Sequence, residues 1–98
     1  MFSSERLKGI GLFVCVADMG SFTLAAERMN LTASAVSKGI ARLESRLQTK
    51  LFQRTTRRLA LTDAGTQFYR TCTGVLAELE EAELAMQAES AEPRSEER

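Results

Sequence analysis

From Leu7 onward the apolar positions Leu7, Ile10, Phe13, Val14 and Ala17 recur three and four residues apart, the spacing that gathers side chains on one face of a helix. Either Ser3 or Ser4 can cap that helix, and Glu5 adds an acid in its first turn, where the helix dipole favours negative charge. Gly9 and Gly11 weaken such a helix by about 1 kcal/mol each relative to alanine, so they either admit a closely packed neighbour or are tolerated without one. The Gly9-Ile10-Gly11 triplet is not a phosphate loop, because no strand precedes it. Gly20 ends the segment. Ser21 caps a second, short helix over Phe22 to Met29, in which Ala25 and Ala26 leave room for another helix to lie close, and Asn30 marks a turn. Thr32 caps a third helix whose apolar positions Val36, Ile40, Leu43 and Leu47 are spaced four, three and four, a single stripe for burial.

Between Leu51 and Leu61 the period changes. Phe52, Leu59 and Leu61 flank the polar run Gln53, Arg54, Thr55, Thr56, Arg57 and Arg58, which fits a short β-hairpin, or wing, although its turn lacks the Asn-Gly signature of a tight hairpin. Thr62 caps a last helix with Asp63 in its first turn, and the pattern predicts that it runs to about Ala88, roughly 40 Å at 1.5 Å per residue. Along it Phe68, Cys72, Val75, Leu79, Ala82 and Met86 alternate four and three apart, a heptad seam of nearly three repeats. Glu92 to Arg98 form a polar stretch with nothing to bury, expected to be disordered. The reading is therefore a mainly α chain divided into residues 1–61, a long helix over 62–89 and a polar tail over 90–98.

Ninety-eight residues with 44% apolar content allow one small domain. Overall, 13 basic side chains balance 13 acidic ones, which taken alone argues against a polyanionic partner. The balance is uneven along the chain: residues 1–70 carry 11 Lys and Arg against 5 Asp and Glu, whereas residues 71–98 carry 2 against 8. The first part is thus the electrostatic candidate for nucleic acid. No stretch reaches the roughly 18 apolar residues of a membrane span, and the N-terminus lacks the pattern of a signal peptide, so a soluble, cytoplasmic protein is expected. With no histidine and only Cys15 and Cys72, far apart, the chain cannot assemble a zinc site by itself, and both cysteines read as small core residues.

Two helices joined by a short turn, the second with one apolar and one polar stripe, form the arrangement that carries a helix into the major groove of DNA. Opposite the buried stripe of the third helix lie Thr32, Ser34, Ser37, Lys38, Arg42 and Ser45; the small residues permit close approach, and the hydroxyls can bond base edges or phosphates. Lys38 is the candidate for a guanine edge, and Arg42, nearer the rim, for a phosphate. Such a face is also commonly no more than solvated surface. Arg54, Arg57 and Arg58, within five residues in the wing, could lie on phosphates or enter a minor groove, though basic turns too are often plain surface.

Residues 7–65 resemble the N-terminal domain of the LysR-type transcriptional regulators of bacteria. The similarity runs through Leu7, Phe13 and Val16-Ala17, then Gly20-Ser21-Phe22-Thr23 and Ala25-Ala26-Glu27-Arg28-Met29-Asn30-Leu31. It continues through Ser34-Ala35-Val36-Ser37-Lys38, Ile40, Leu43-Glu44 and Leu47, then Leu51-Phe52-Gln53-Arg54-Thr55 and Leu61-Thr62-Asp63-Ala64-Gly65. The resemblance implies a winged helix-turn-helix of three helices plus a hairpin wing, a long dimerisation helix, and transcriptional control through double-stranded DNA. By position it places base reading on Ala33, Ser34, Ser37 and Lys38 and a wing contact on Arg57, beside Arg58, with Thr23 and Thr32 near phosphates. Ser21, Arg42, Arg54 and Thr55 complete the expected backbone set. The family commonly has glutamine where this chain has Ala33, and often at Gly39; losing it at Ala33 leaves at most a methyl contact with thymine.

The resemblance further implies that two copies pair through the seam of Phe68, Cys72, Val75, Leu79, Ala82 and Met86, antiparallel, to meet an interrupted inverted repeat. It implies no cofactor, and a small-molecule inducer only in a full-length protein, since the sequence stops where the hinge to an effector domain would begin. The rival from another class is a helical protein-interaction module with an incidental basic face. Another winged-helix regulator, dimerising by its termini, is disfavoured by the match over residues 20–65. An enzyme is the weakest reading: there is no histidine, metal cluster or phosphate loop, and Glu27, Glu44 and Asp63 suit helix-surface or cap positions better than an acid-base pair.

Overall fold

The computed structural model describes residues 4–55 and 58–91. Among them the chain forms α1 (Ser4–Met19), α2 (Phe22–Met29), α3 (Ala33–Leu47), β1 (Phe52–Arg54), β2 (Leu59–Leu61) and α4 (Asp63–Ala91). Ser4 is the first helical residue of α1 rather than its cap, and Ser3 lies outside the described residues. The other starts are capped as the hydroxyl positions predict. Ser21 accepts from the Leu24 N–H at 3.1 Å, Thr32 from the Ala35 N–H at 3.0 Å, and Thr62 from the Gly65 N–H at 2.9 Å. Gly20, at φ 67, and Asn30, at φ 60, take the left-handed conformation that ends a helix, and α1, α2 and α3 thereby turn sharply on one another.

Helices α1, α2 and α3 pack together around Phe13, Val16, Ala25, Val36, Ile40 and Leu43, all at most 1% exposed. Phe13 is the hub that joins this bundle to the rest. Its ring centroid lies 5.4 Å from Phe52 on β1, 5.1 Å from Phe68 and 6.5 Å from Tyr69, both on α4. One side chain therefore ties α1 to the wing and to the long helix. A hydrogen bond from the Tyr69 hydroxyl to the Asp18 carboxylate adds a polar link between α1 and α4, and that bond pushes the hydroxyl's pKa above its ordinary value. A β-carbon at Gly9 would meet the Leu43 side chain at an ordinary 3.7 Å in the α1–α3 contact, whereas one at Gly11 would stand in open space.

Strands β1 and β2 pair antiparallel, with Phe52 opposite Leu61 and Arg54 opposite Leu59. Thr55 and Arg58 close the turn: the Thr55 N–H donates to the Arg58 carbonyl at 2.9 Å and the Arg58 N–H to the Thr55 hydroxyl at 3.0 Å. Helix α4 leaves the wing with its first turns against the core, Gly65 and Cys72 being buried and Phe68, Tyr69 and Leu76 half-buried. From Ala77 to Ser90 every residue is exposed. The helix runs two residues past the expected boundary at 89, and residues 92–98 of the expected tail lie outside the described residues.

Candidate nucleic-acid interface

The stripe of α3 made by Val36, Ile40 and Leu43 is buried, and this orients the opposite edge outward. Ala33, Ser34, Lys38, Arg42 and Ser45 are exposed, as is the cap Thr32. Ser37 sits apart from them: it is half-buried on the flank facing the wing, where it lines an open concavity with Ala41, Gln53 and Arg54. Gly39 faces the other flank. A β-carbon there would press on the end of the Leu12 side chain, so this position belongs to the α1–α3 packing, not to the exposed edge. Arg42 comes within 4.0 Å of Glu5, but both side chains are 68% exposed, so the pair is weak and solvent-screened.

The expected backbone set is spread around this edge. Ser21 and Thr32 spend their oxygens as helix caps, Thr23 is exposed on the first turn of α2, and Thr55 closes the hairpin. Arg54 does not hang free: its guanidinium lies over the Phe22 ring, 4.6 Å from the centroid. Arg58 is exposed at the base of the turn, and Arg57 lies outside the described residues. Of the expected seam, Cys72 is inside this subunit's own core, where burial pushes its thiol's pKa up, and half-buried Phe68 packs against that core. Val75, Leu79 and Met86, in contrast, are 55%, 53% and 65% exposed and, with exposed Ala82, continue the same stripe into solvent. Leu84, 56% exposed, lies on the opposite side at 100° per residue.

Glu44 corrects the sequence reading. Expected on the helix surface, it is buried, and one of its oxygens, Oε2, accepts the backbone N–H of Leu51 at 2.8 Å and of Phe52 at 3.2 Å. Its other oxygen lies 3.8 Å from the Lys50 ammonium, which is itself exposed. From the other side, the Thr62 hydroxyl donates to the Lys50 carbonyl at 2.7 Å, and the Thr62 N–H donates to the Leu51 carbonyl at 3.0 Å. Gly65 closes the clamp, because a β-carbon there would collide with the Leu51 carbonyl oxygen. Residues 50–52 are thus gripped between the end of α3 and the start of α4, and this fixes where the wing stands relative to the exposed edge of α3. The signal was present in the sequence: Glu44 continues the four-residue spacing of Val36 and Ile40, which places it on the buried stripe.

Among the described residues no group of His, Cys, Asp and Glu side chains is placed to hold a metal, and no helix is long and apolar enough to cross a membrane. The arrangement offers instead a helix edge of small and cationic side chains beside a braced hairpin. Comparison with known proteins decides its class. The family description "bacterial regulatory helix-turn-helix protein, LysR family" matches residues 7–66. The chain belongs to the LysR family of helix-turn-helix regulators. It is 40% identical over 77 residues to the HTH-type transcriptional activator AaeR of Escherichia coli K12, covering 79% of this chain and 25% of that protein. It is 43% identical over 86 residues to the transcriptional regulator CrgA of Neisseria meningitidis serogroup C, covering 88% and 28%. The chain therefore spans about a quarter of the length of these curated relatives.

The solved structures agree in fold. A BenM DBD in complex with benA site 1 DNA superposes with a TM-score of 0.79 at 26% identity, covering 87% of this LysR-family chain and 96% of that one. Full-length CbnR complexed with its target DNA gives 0.71 at 25% identity, covering 83% and 28%. The LysR-family domain is thus a winged helix-turn-helix unit of a transcriptional regulator, a family of DNA-binding proteins and not of enzymes.

Proposed function

We propose that this domain binds double-stranded DNA sequence-specifically as a homodimer, placing two copies of α3 in the major groove on an interrupted inverted repeat. The observation that carries the reading is the exposed edge of Ser34 and Lys38 directly opposite the buried stripe of α3, at a fixed distance from the wing. Ala33, Ser34, Ser37 and Lys38 read bases, Ser37 from the flank nearest the wing. Ser21, Thr23, Thr32, Arg42, Arg54 and Thr55 meet the backbone, and Arg57 and Arg58 carry the wing's contact. Pairing is supported by the stripe of Val75, Leu79, Ala82 and Met86, which leaves the core and is exposed, with none of the described residues covering it. In the dimer, Phe68 and Cys72 anchor the helix from inside each subunit rather than forming the shared surface.

The domain works in the bacterial cytoplasm, and any small-molecule inducer acts through parts of a longer protein. Binding should weaken by several powers of ten between 50 and 200 mM salt if a dimer makes roughly six to ten phosphate contacts. Selection of bound duplexes from a random pool tests the whole reading. A recovered dyad-symmetric motif supports it; recovery of single, non-repeated half-sites removes the dimer, and a protein-interaction module would recover nothing at low salt.

A further inference from the structure

Strand alternation puts Phe52 and Arg54 on one face of β1. Phe52 enters the core, and the Phe22 ring meets it edge-on with centroids 6.3 Å apart. Arg54, two residues along, lays its guanidinium over the same Phe22 ring, 4.6 Å from the centroid. Phe22 is the first residue of α2, between the cap Ser21 and the exposed Thr23. The stack therefore joins the wing to the N-terminal end of a helix, where backbone N–H groups lack intrahelical partners and the dipole is positive. A guanidinium held over an aromatic face by cation–π attraction uses none of its N–H donors as hydrogen bonds to the ring, and they remain able to engage a phosphate.

We propose that Phe22 is a positioning residue for DNA binding: its ring holds Arg54 beside the N-terminus of α2, so that both engage the same stretch of duplex backbone. This rests on the DNA-binding reading above. A free arginine side chain must be ordered when it meets a phosphate, and the stack supplies that order beforehand. Its removal should weaken binding by roughly three- to tenfold per subunit.

The test uses the 98-residue chain and a random-sequence 40-base-pair duplex at about 50 mM salt, with wild type, Phe22→Leu, Phe22→Tyr, Arg54→Ala and the Phe22→Leu/Arg54→Ala double variant. Phe22→Leu should lose affinity, Phe22→Tyr should stay within about twofold of wild type, and in the Arg54→Ala background Phe22→Leu should add little further loss. Equal losses from Phe22→Leu in both backgrounds, or none in either, would overturn the positioning role. In the free protein, the Arg54 side-chain protons should resonate upfield through the ring current of Phe22 and return to ordinary shifts in Phe22→Leu; ordinary shifts in wild type also overturn it. If wild type shows the ring-current shift yet binds no duplex, the DNA reading itself falls and takes this role with it.

Discussion

Replacing Glu44 by alanine removes the acceptor for two buried backbone donors at once. The Leu51 and Phe52 N–H groups point at a single carboxylate oxygen, at 2.8 and 3.2 Å, in a region where Leu51 is 2% and Phe52 6% exposed. An orphaned buried donor costs about 1–3 kcal/mol, so Glu44→Ala should destabilise by about 2–6 kcal/mol, towards the lower figure if water enters the gap. Glu44→Gln keeps one oxygen in place to accept both bonds and turns its amide towards Lys50. Because Lys50 is 82% exposed on its side chain, it can swing away, and this variant should cost only about 1 kcal/mol. The ammonium pair thus contributes little, and the backbone bonds carry the effect. Urea unfolding followed by far-ultraviolet circular dichroism measures both, at one fixed protein concentration because any association would shift the midpoint. A Glu44→Ala midpoint within about 0.5 kcal/mol of wild type would refute the reasoning, as would Glu44→Gln proving as damaging as Glu44→Ala.

Gly65→Ala should destabilise by at least about 2 kcal/mol in the same assay, because its new methyl group meets a backbone carbonyl that is itself pinned by Thr62 and cannot retreat. Gly11→Ala should instead stabilise by up to about 1 kcal/mol, since open space surrounds the position and the helix gains a better former; a lower midpoint would show that the glycine is required there. In native buffer near pH 8, iodoacetamide followed by mass spectrometry should label half-buried Cys15 before buried Cys72, whose thiol burial keeps protonated; equal rates would contradict the placement of Cys72 in the core. Lys38→Ala should relax base preference at one position per half-site, at about 1–3 kcal/mol, whereas Arg58→Ala should weaken all sequences alike; footprints with the opposite pattern would exchange the two roles.

The elements were legible because their signals are local. Apolar spacing marked α1 to α4, hydroxyls marked the caps at Ser21, Thr32 and Thr62, and the break in period at Leu51 marked the hairpin. What a local pattern could not carry was the use of side chains across elements. Glu44 was read by residue type as surface, although its spacing from Ile40 already placed it inside; only the arrival of Leu51 and Phe52 supplies the donors that make a buried carboxylate tolerable. The sequence offers Arg54 as a phosphate or groove contact in the wing but not its stacking, because Phe22 is more than thirty residues away in sequence. The seam on α4 reads as uniform because heptad spacing does not say where a helix leaves its own core, which in the structure happens after half-buried Leu76. For the same reason Ser37 shares a stripe with Ser34 and Lys38 in the sequence, yet in the structure it is half-buried and lines an open concavity with residues of the wing.

That division of α4 has a consequence for the proposed dimer. The half of the helix that would pair is continuous with the half held by Phe13: α4 stays helical through Gly74 at the junction, and no glycine or proline follows between Val75 and Ala91. Phe68 packs on Phe13, Phe13 packs on Phe52, and Phe52 accepts its place from Glu44 at the end of α3. Packed contacts therefore run from the base of α4 to the end of α3, and the same unbroken helix carries on from that base to the pairing stripe. In a symmetric pair the separation of the two reading helices is then fixed by side-chain packing rather than by a linker, so the spacing between half-sites becomes part of what is recognised. The acidic side chains point the same way: Glu78, Glu80, Glu81, Glu83 and Glu89 are all exposed on the part of α4 beyond the core, while Lys38, Arg42, Arg54 and Arg58 belong to α3 and the wing. If the domain binds as proposed, a duplex meets the basic side chains of α3 and the wing, and approach by the acidic far end of the helix is repelled.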